Sequence, residues 1–390
     1  MESPSLPMPA KDWTTTSLHR VLCMQGGEGD VSYVNNSDSQ ALAINLSKPL
    51  LISSLQSIKL IFSPDNDHTF PIIRVADLGC ATGSNTFNTV DTVVDTLRRG
   101  FKTVYGSGLP EFEAFFCDLP SNDFNMLFKL LTEKQKIESS TYFAGGVAGS
   151  FYDRLFPKGT IHVAVSLSAL HWLSQIPEKV LEKGSKTWNK GRTWIEGAKK
   201  EVVDAFAEQS DKDLDDFLKC RKEEMVKGGV LFVLMAGRPS GSVSQIGDQD
   251  SRAKHPLTTT MEQAWQDLVD EGLIDEETRD GFNIPTYMRS PEEVAAGFNR
   301  IGGFKIEKLE YMTTIDHTDV KKEEWKKDPA AYGLARSNLV QTAIRSMVEA
   351  YLGPDLCDEL FKRYEKRATT REFLHMTCFY GLVVFSAIRI

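Results

Sequence analysis

Short apolar runs alternating with stretches of helical period constrain this chain more than any other feature, because few architectures satisfy that rhythm. Ile72 to Gly79 is a strand-length apolar run ending in a Gly-rich turn, and Phe87, Val90, Val93, Val94 and Leu97 then recur at helical spacing. Ser84 or Asn85 stands where it can cap that helix. Glu113 to Asp118 predicts the next strand, followed by a helix through Phe124, Leu127 and Leu130. Tyr142–Val147 and Ile161–Leu167 predict two more strands. An amphipathic helix from Lys199 to Val226 is expected to stop at Gly228-Gly229, before a buried strand over Val230–Met235. Lys305–Tyr311 and Cys378–Ile388 supply the final strands, the last expected to be antiparallel. The fold class that follows is α/β, with a parallel, doubly wound, Rossmann-like sheet.

Leu50–Phe62 has helical spacing ahead of this pattern. Stretches 176–200 and 240–300 break it, carrying Trp188, Trp194, Trp265 and a helical pattern over Met261–Val269. They predict a largely helical cap over the C-terminal edge of the sheet, where ligands of open α/β sheets bind. The expected division is an N-terminal segment (1–62) and an α/β core (63–175 and 228–240). Cap elements with a core helix (176–227 and 241–300) and C-terminal core strands with a helix (301–390) complete it.

Charge excludes some functions. A net charge of −9 argues against a protein that wraps nucleic acid or coats an anionic membrane, since both need concentrated Lys and Arg. A small anionic ligand stays compatible, because one local donor can hold a carboxylate. The six cysteines are scattered without zinc or dithiol spacing, and no His-x-x-x-His pair occurs, so reduced thiols in a cytoplasmic protein are the simplest reading. The N-terminus carries Glu2 and no apolar h-region, so no targeting peptide is expected. Cys378–Ile388 is too short to span a bilayer.

Val75-Ala76-Asp77-Leu78-Gly79-Cys80-Ala81-Thr82-Gly83 follows a strand and opens a helix. Gly79 lets the backbone approach a ligand closely, Gly83 permits the turn, and Asp77 can accept from an ammonium. The three-glycine spacing that cradles a dinucleotide pyrophosphate is absent, which disfavours NAD or FAD. Asp118 ends the next strand and reads either as a carboxylate for ribose hydroxyls or as a helix N-cap. Ser150-Phe151 follows another strand, where a ring either covers a base or joins the core.

These segments, with Asp118–Asn125, Gly149–Pro157, His171–Gln175 and Phe282–Pro285, resemble the plant SABATH methyltransferases from about Leu22 to the C-terminus. The resemblance implies a class I methyltransferase sheet, S-adenosylmethionine as donor, a small-molecule carboxylic acid as acceptor, and a homodimer. It implies donor contacts at Tyr33, Ser37, Asp77, Gly79, Cys80, Asn85, Asp118, Leu119, Ser150 and Phe151. Gln40 and Trp172 resemble the amide and indole donors to the acceptor carboxylate, with His171 and Ser168 beside them. Asn189, Asp280, Phe282 (through its carbonyl) and Asn283 fall where some members bind Mg2+; a loop-bracing hydrogen-bond network is the alternative.

A carboxylic acid is already ionised at pH 7, so no general base is required and catalysis is expected to be positional. Gln25 stands where a lysine is common, and Ser168 is smaller than the aromatic residue often found at that place, which suggests a larger acceptor than salicylate. Segments Glu113–Leu131 and Tyr142–Pro157 look most like the indole-3-acetate branch with its cinnamate and p-coumarate relatives, which favours an aromatic acid. Salicylate or benzoate, jasmonate and gibberellin are the alternatives, and purine N-methylation is less favoured.

Overall fold

The computed structural model describes residues 15–57, 72–106, 109–137, 142–241, 256–315, 317–369 and 379–390. Residues 1–14, residues 58–62 of the helical stretch expected over Leu50–Phe62, and Cys378 lie outside them.

Helices α1 (Thr15–Val21) and α2 (Asp38–Ser57) precede the alternating region. It then runs β1 (Ile73–Leu78), α3 (Ser84–Tyr105), β2 (Phe112–Asp118), α4 (Phe124–Ile137), β3 (Phe143–Ala148) and β4 (Ile161–Leu167). After a short α5 (Glu178–Leu181) come α6 (Lys200–Glu224), β5 (Met225–Ala236), α7 (Pro256–Asp270), α8 (Glu276–Asp280) and α9 (Pro291–Ile301). The chain closes with β6 (Phe304–Ile315), α10 (Asp319–Lys327), α11 (Pro329–Leu352), α12 (Pro354–Ala368) and β7 (Phe379–Arg389).

The strands form one seven-stranded sheet in the order β3-β2-β1-β4-β5-β7-β6. Strands β1 to β5 are parallel, and β7 inserts antiparallel between β5 and β6, as expected. Every residue of β4 is buried, as a strand covered on both faces requires. One face carries α3, whose Phe87, Val90, Val93, Val94, Leu97 and Phe101 pack with Val75, Phe116 and Leu127. The other carries α6 and α9 through Leu214, Phe217, Leu218, Val294 and Phe298. The strand order reverses between β1 and β4, which opens a crevice at their C-terminal ends.

Four expectations are corrected. Gly83 rather than Ser84 or Asn85 is the N-cap of α3, with no side-chain cap. Strand β5 begins at Met225 and passes through Gly228-Gly229 instead of starting after them. The stretch 176–200 contains only the four-residue α5 and turns, so that part of the cap is not helical. The helical part draws on the chain's end: α1, α7, α11 and α12 share a core of Leu18, Trp265, Leu268, Ile344, Met347, Leu360 and Tyr364, separate from the two sheet cores. Among the described residues, no helix is long and apolar enough to cross a membrane.

Candidate active site

A cavity of about 340 Å³ lies over the C-terminal ends of the central strands, between the sheet and α11. Ten of the residues singled out from the sequence line it: Tyr33, Gln40, Gly79, Asp118, Leu119, Ser150, Phe151, Ser168, His171 and Trp172. Ser37, Asp77, Cys80 and Asn85 do not line it. Asp77 is buried and accepts from Thr86 Oγ1 at 2.5 Å. Asn85 reaches Ser37's carbonyl at 3.4 Å and also bonds the Tyr33 side chain. The Cys80 thiol donates to the Ala81 carbonyl.

One end of the cavity is built from strand ends in register. Leu78 stands opposite Cys117, and Asp118 opposite Ala148, so the loops after β1, β2 and β3 converge. Gly79 has φ +82, and a Cβ there would fall 2.4 Å from Ala169 Cβ and 3.3 Å from the Phe151 ring. The position therefore demands glycine. Asp118 holds the turn by accepting from Ala81 N–H at 2.7 Å and Leu119 N–H at 2.8 Å. It does not cap α4; Asp123 does, accepting from Met126 N–H at 2.9 Å. Buried Arg221, ion-paired to Glu224, donates to the Phe151 and Asp153 carbonyls and fixes the loop after β3.

Burial pushes both carboxylates up, Asp77 to about 7 and Asp118 to about 6. Among the described residues no cation lies beside the two acids, and Asp118 borders the cavity with Asp77 buried behind it, an arrangement that suits a positively charged ligand.

The other end is a wall added to the sheet edge. Trp172 forms an antiparallel bridge with Thr286, supported by Leu173 N–H to the Pro285 carbonyl at 2.7 Å and Tyr287 N–H to the His171 carbonyl at 2.9 Å. Arg289 in turn bridges Gly237 after β5. Residues 284–289 thus strap the loops after β4 and β5 together. Ser39 occupies Gln40 Oε1 at 2.9 Å. Among the described residues nothing accepts from Gln40 Nε2 or from the Trp172 indole N–H, so two uncommitted donors border the cavity. Burial, with Arg289 nearby, lowers His171 to about 4, so its ring is neutral at pH 7. Ser168 takes a left-handed φ of +62 and lines the cavity together with Trp172.

Gln25, in the position where lysine is common, turns away from the cavity and donates to Ser346 Oγ on α11 at 2.6 Å. Its place in the lining is taken by Cys23 and Met24. Sequence reading missed the α11 lining residues Leu339, Val340, Ala343 and Ile344, and Tyr152, whose hydroxyl donates to the Trp172 carbonyl at 2.6 Å. No local motif marks the α11 residues, and Tyr152, inside the Gly149–Pro157 segment, has no role assigned to it.

The donor set does not support the magnesium expectation. Asn189, Asp280, Phe282 and Asn283 do come together, but as a hydrogen-bond network. Asp280 Oδ1 accepts from Arg279 at 2.8 and 2.9 Å and from Gly191 N–H at 2.9 Å. Asn189 donates to Asn283 Oδ1 at 2.6 Å. The orphaned polar atom of the cluster is Asn283 Nδ2, a donor, which repels a cation. Among the described residues no group of three or more His, Cys, Asp or Glu could hold a metal ion.

Comparison with known proteins gives this geometry its context. A family model described as "SAM dependent carboxyl methyltransferase" matches residues 19–389. Gibberellic acid methyltransferase 2 of Arabidopsis thaliana is 78% identical, with all of both chains covered. Indole-3-acetate O-methyltransferase 1 of the same plant is 38% identical, over 90% of this chain and 91% of the relative. The expected nearness to the indole-3-acetate branch is therefore corrected. The solved structure of loganic acid methyltransferase with SAH superposes with a TM-score of 0.79 at 32% identity, covering 94% of this chain and 98% of that one. Strand order, an acid-lined crevice and a match spanning nearly the whole length agree: the chain belongs to the SABATH family and is an S-adenosylmethionine-dependent carboxyl methyltransferase.

Proposed function

We propose that this enzyme forms the methyl ester of a gibberellin. The observation that carries the reading is 78% identity, over the full length of both chains, to a gibberellic acid methyltransferase. The small side chain of Ser168 in the lining and a lining far more apolar than polar suit a bulky polycyclic acid better than a single aromatic ring. Methyl transfer to a panel of gibberellic acid, indole-3-acetate, cinnamate, p-coumarate, salicylate, benzoate and jasmonate tests it. The highest kcat/KM is expected with gibberellic acid; preference for any of the others would overturn the assignment.

When bound, S-adenosylmethionine supplies a methyl group on a sulfonium sulfur, which a carboxylate oxygen can take without proton transfer. The residues present fit such a donor: Gly79 leaves the open cradle, Asp118 and Tyr33 border it, and Asp77 lies beneath. In this reading Gln40 Nε2 and the Trp172 indole hold the acceptor carboxylate, while α11 and the strap exclude water. His171 is neutral and serves as wall. No base is needed because the acid arrives ionised.

Trp172→Phe is expected to raise KM for the acid about tenfold, the weight of one hydrogen bond to a charged group. Binding of S-adenosylhomocysteine should stay unchanged. Wild-type KM in this variant would remove Trp172 from the acceptor site.

A pH dependence follows from the two acids. A cationic donor favours their ionised forms, so binding lowers both pKa values and releases protons at pH values near and below 7. Donor affinity is expected to fall as pH drops from 8 to 5. Calorimetric titration in buffers of different ionisation enthalpy reads the released protons, and no release at pH 6 would contradict the assignment.

A further inference from the structure

Behind the acceptor wall lies a cation that none of these roles uses. Arg289 is 1% exposed. Its Nη1 donates to the Leu170 carbonyl and its Nη2 to the Ser210 carbonyl at 2.9 Å. Its side chain also bonds Tyr152, whose hydroxyl holds the Trp172 carbonyl. Nε is buried with no acceptor.

Among the described residues, no carboxylate lies within ion-pair distance of this guanidinium. Asp213 feels its field but is occupied by Ser174 N–H, Ser174 Oγ and Gln209 Nε2 at 2.6 to 2.8 Å. The neighbouring Arg238 is different, because Glu293 Oε1 pairs with it at 2.6 Å. Arg289 thus contacts only neutral oxygens, and Asp213, the carboxylate that feels its field, spends its own oxygens on other donors. A buried charge with no counter-ion in contact is expensive to keep, and a second anion nearby would offset part of that cost.

We propose that Arg289 is the fixed counter-charge for the acceptor carboxylate: a positioning residue that selects ionised acids and seats Trp172 through Leu170 and Tyr152. This rests on the reading that Gln40 and Trp172 face the carboxylate. Contact is not required, since attraction between charges in a poorly screened interior reaches beyond hydrogen-bond distance. The carboxylate loses its charge as the ester forms. A cation behind it therefore holds substrate more firmly than the transition state or the neutral product, and its removal should raise KM with kcat held or increased.

The test compares gibberellic acid with its primary carboxamide as ligands of the enzyme saturated with S-adenosylhomocysteine. The two have nearly the same shape and differ in charge. Wild-type protein should bind the acid at least about tenfold more tightly, and Arg289→Met should bring the ratio close to one. Arg289→Lys should keep most of it. A structural role alone would weaken both ligands equally. A ratio near one in the wild type, or an unchanged ratio in Arg289→Met, overturns the proposal. If Arg289→Met does not fold, the wild-type ratio and Arg289→Lys decide. Failure of gibberellic acid to bind at all would instead count against the gibberellin assignment, and indole-3-acetate with its amide would then replace the pair.

Discussion

Gly79→Ala is expected to abolish donor binding and destabilise the fold together. At φ +82 an alanine costs about 1–2 kcal/mol for its left-handed backbone. The new Cβ would sit 2.4 Å from Ala169 Cβ, on the loop after β4, and 3.3 Å from Phe151, on the loop after β3. Neither can yield freely. Arg221 pins the Phe151 carbonyl at 2.7 Å, and Trp172 N–H closes on the Ala169 carbonyl at 3.0 Å. Overpacking of this kind adds about 1–3 kcal/mol. The turn must therefore shift, and it forms the cavity floor. Thermal unfolding should show a midpoint lowered by several degrees, and titration with S-adenosylhomocysteine an affinity reduced at least about 100-fold. Wild-type affinity in Gly79→Ala would show that the turn does not carry the donor.

Asp118→Ala should be comparably damaging for a different reason. Its carboxylate accepts from the Ala81 and Leu119 main chains, and Ala81 itself is held at φ +48. Truncation leaves two donors without acceptors, releases the left-handed turn and removes the anion bordering the donor's place. Two hydrogen bonds to a charged group, at about 1.5–3 kcal/mol each, are lost from the turn of the free protein, and through the released turn and the missing anion donor affinity should fall about 100-fold or more. Asp118→Asn separates charge from shape and should fall between. Stability has its own pH dependence. An acid whose folded pKa is raised contributes stability below its unfolded pKa, and loses it as pH rises through about 6. At pH 8 the ligand-free Asp118→Asn protein escapes that ionisation cost but leaves one of the Ala81 and Leu119 N–H groups facing an amide NH2, so its stability should vary less with pH than that of wild type. Equilibrium titration and denaturant unfolding at pH 5 and 8 measure both effects. Undiminished donor binding in Asp118→Ala would remove it from the site.

The sheet was legible because its central strands are continuous apolar runs between recognisable helices. Donor-side residues were legible because they sit within a few positions of strand ends, where topology fixes them. Met225–Gly229 misled because Gly-Gly usually ends an element. Here the β4–β5 register shifts between Ile161/Met225 and Val163/Val230, and a Cβ at Gly229 would fall 2.8 Å from the His162 carbonyl. The glycine thus marks an irregular stretch of strand where two backbones approach. The cap's reliance on α11 was hidden by distance: Gln25 meets Ser346 across 321 residues of chain. The Asn189–Asp280–Asn283 cluster was legible as a cluster. Its chemistry was not, because Arg279 folds back on its own neighbour, and no spacing rule announces that.

The strap from Ile284 to Arg289 ends at the capping box of α9, where Ser290 and Glu293 bond reciprocally. It is thereby anchored to a helix rather than to any strand. The two halves of the reaction consequently answer to different parts of the chain: one to loops whose spacing the sheet sets, the other also to a brace laid across the loops after β4 and β5. Acceptor preference can drift through substitutions in that brace while donor recognition stays intact. One scaffold can in this way be retailored from acid to acid without being rebuilt.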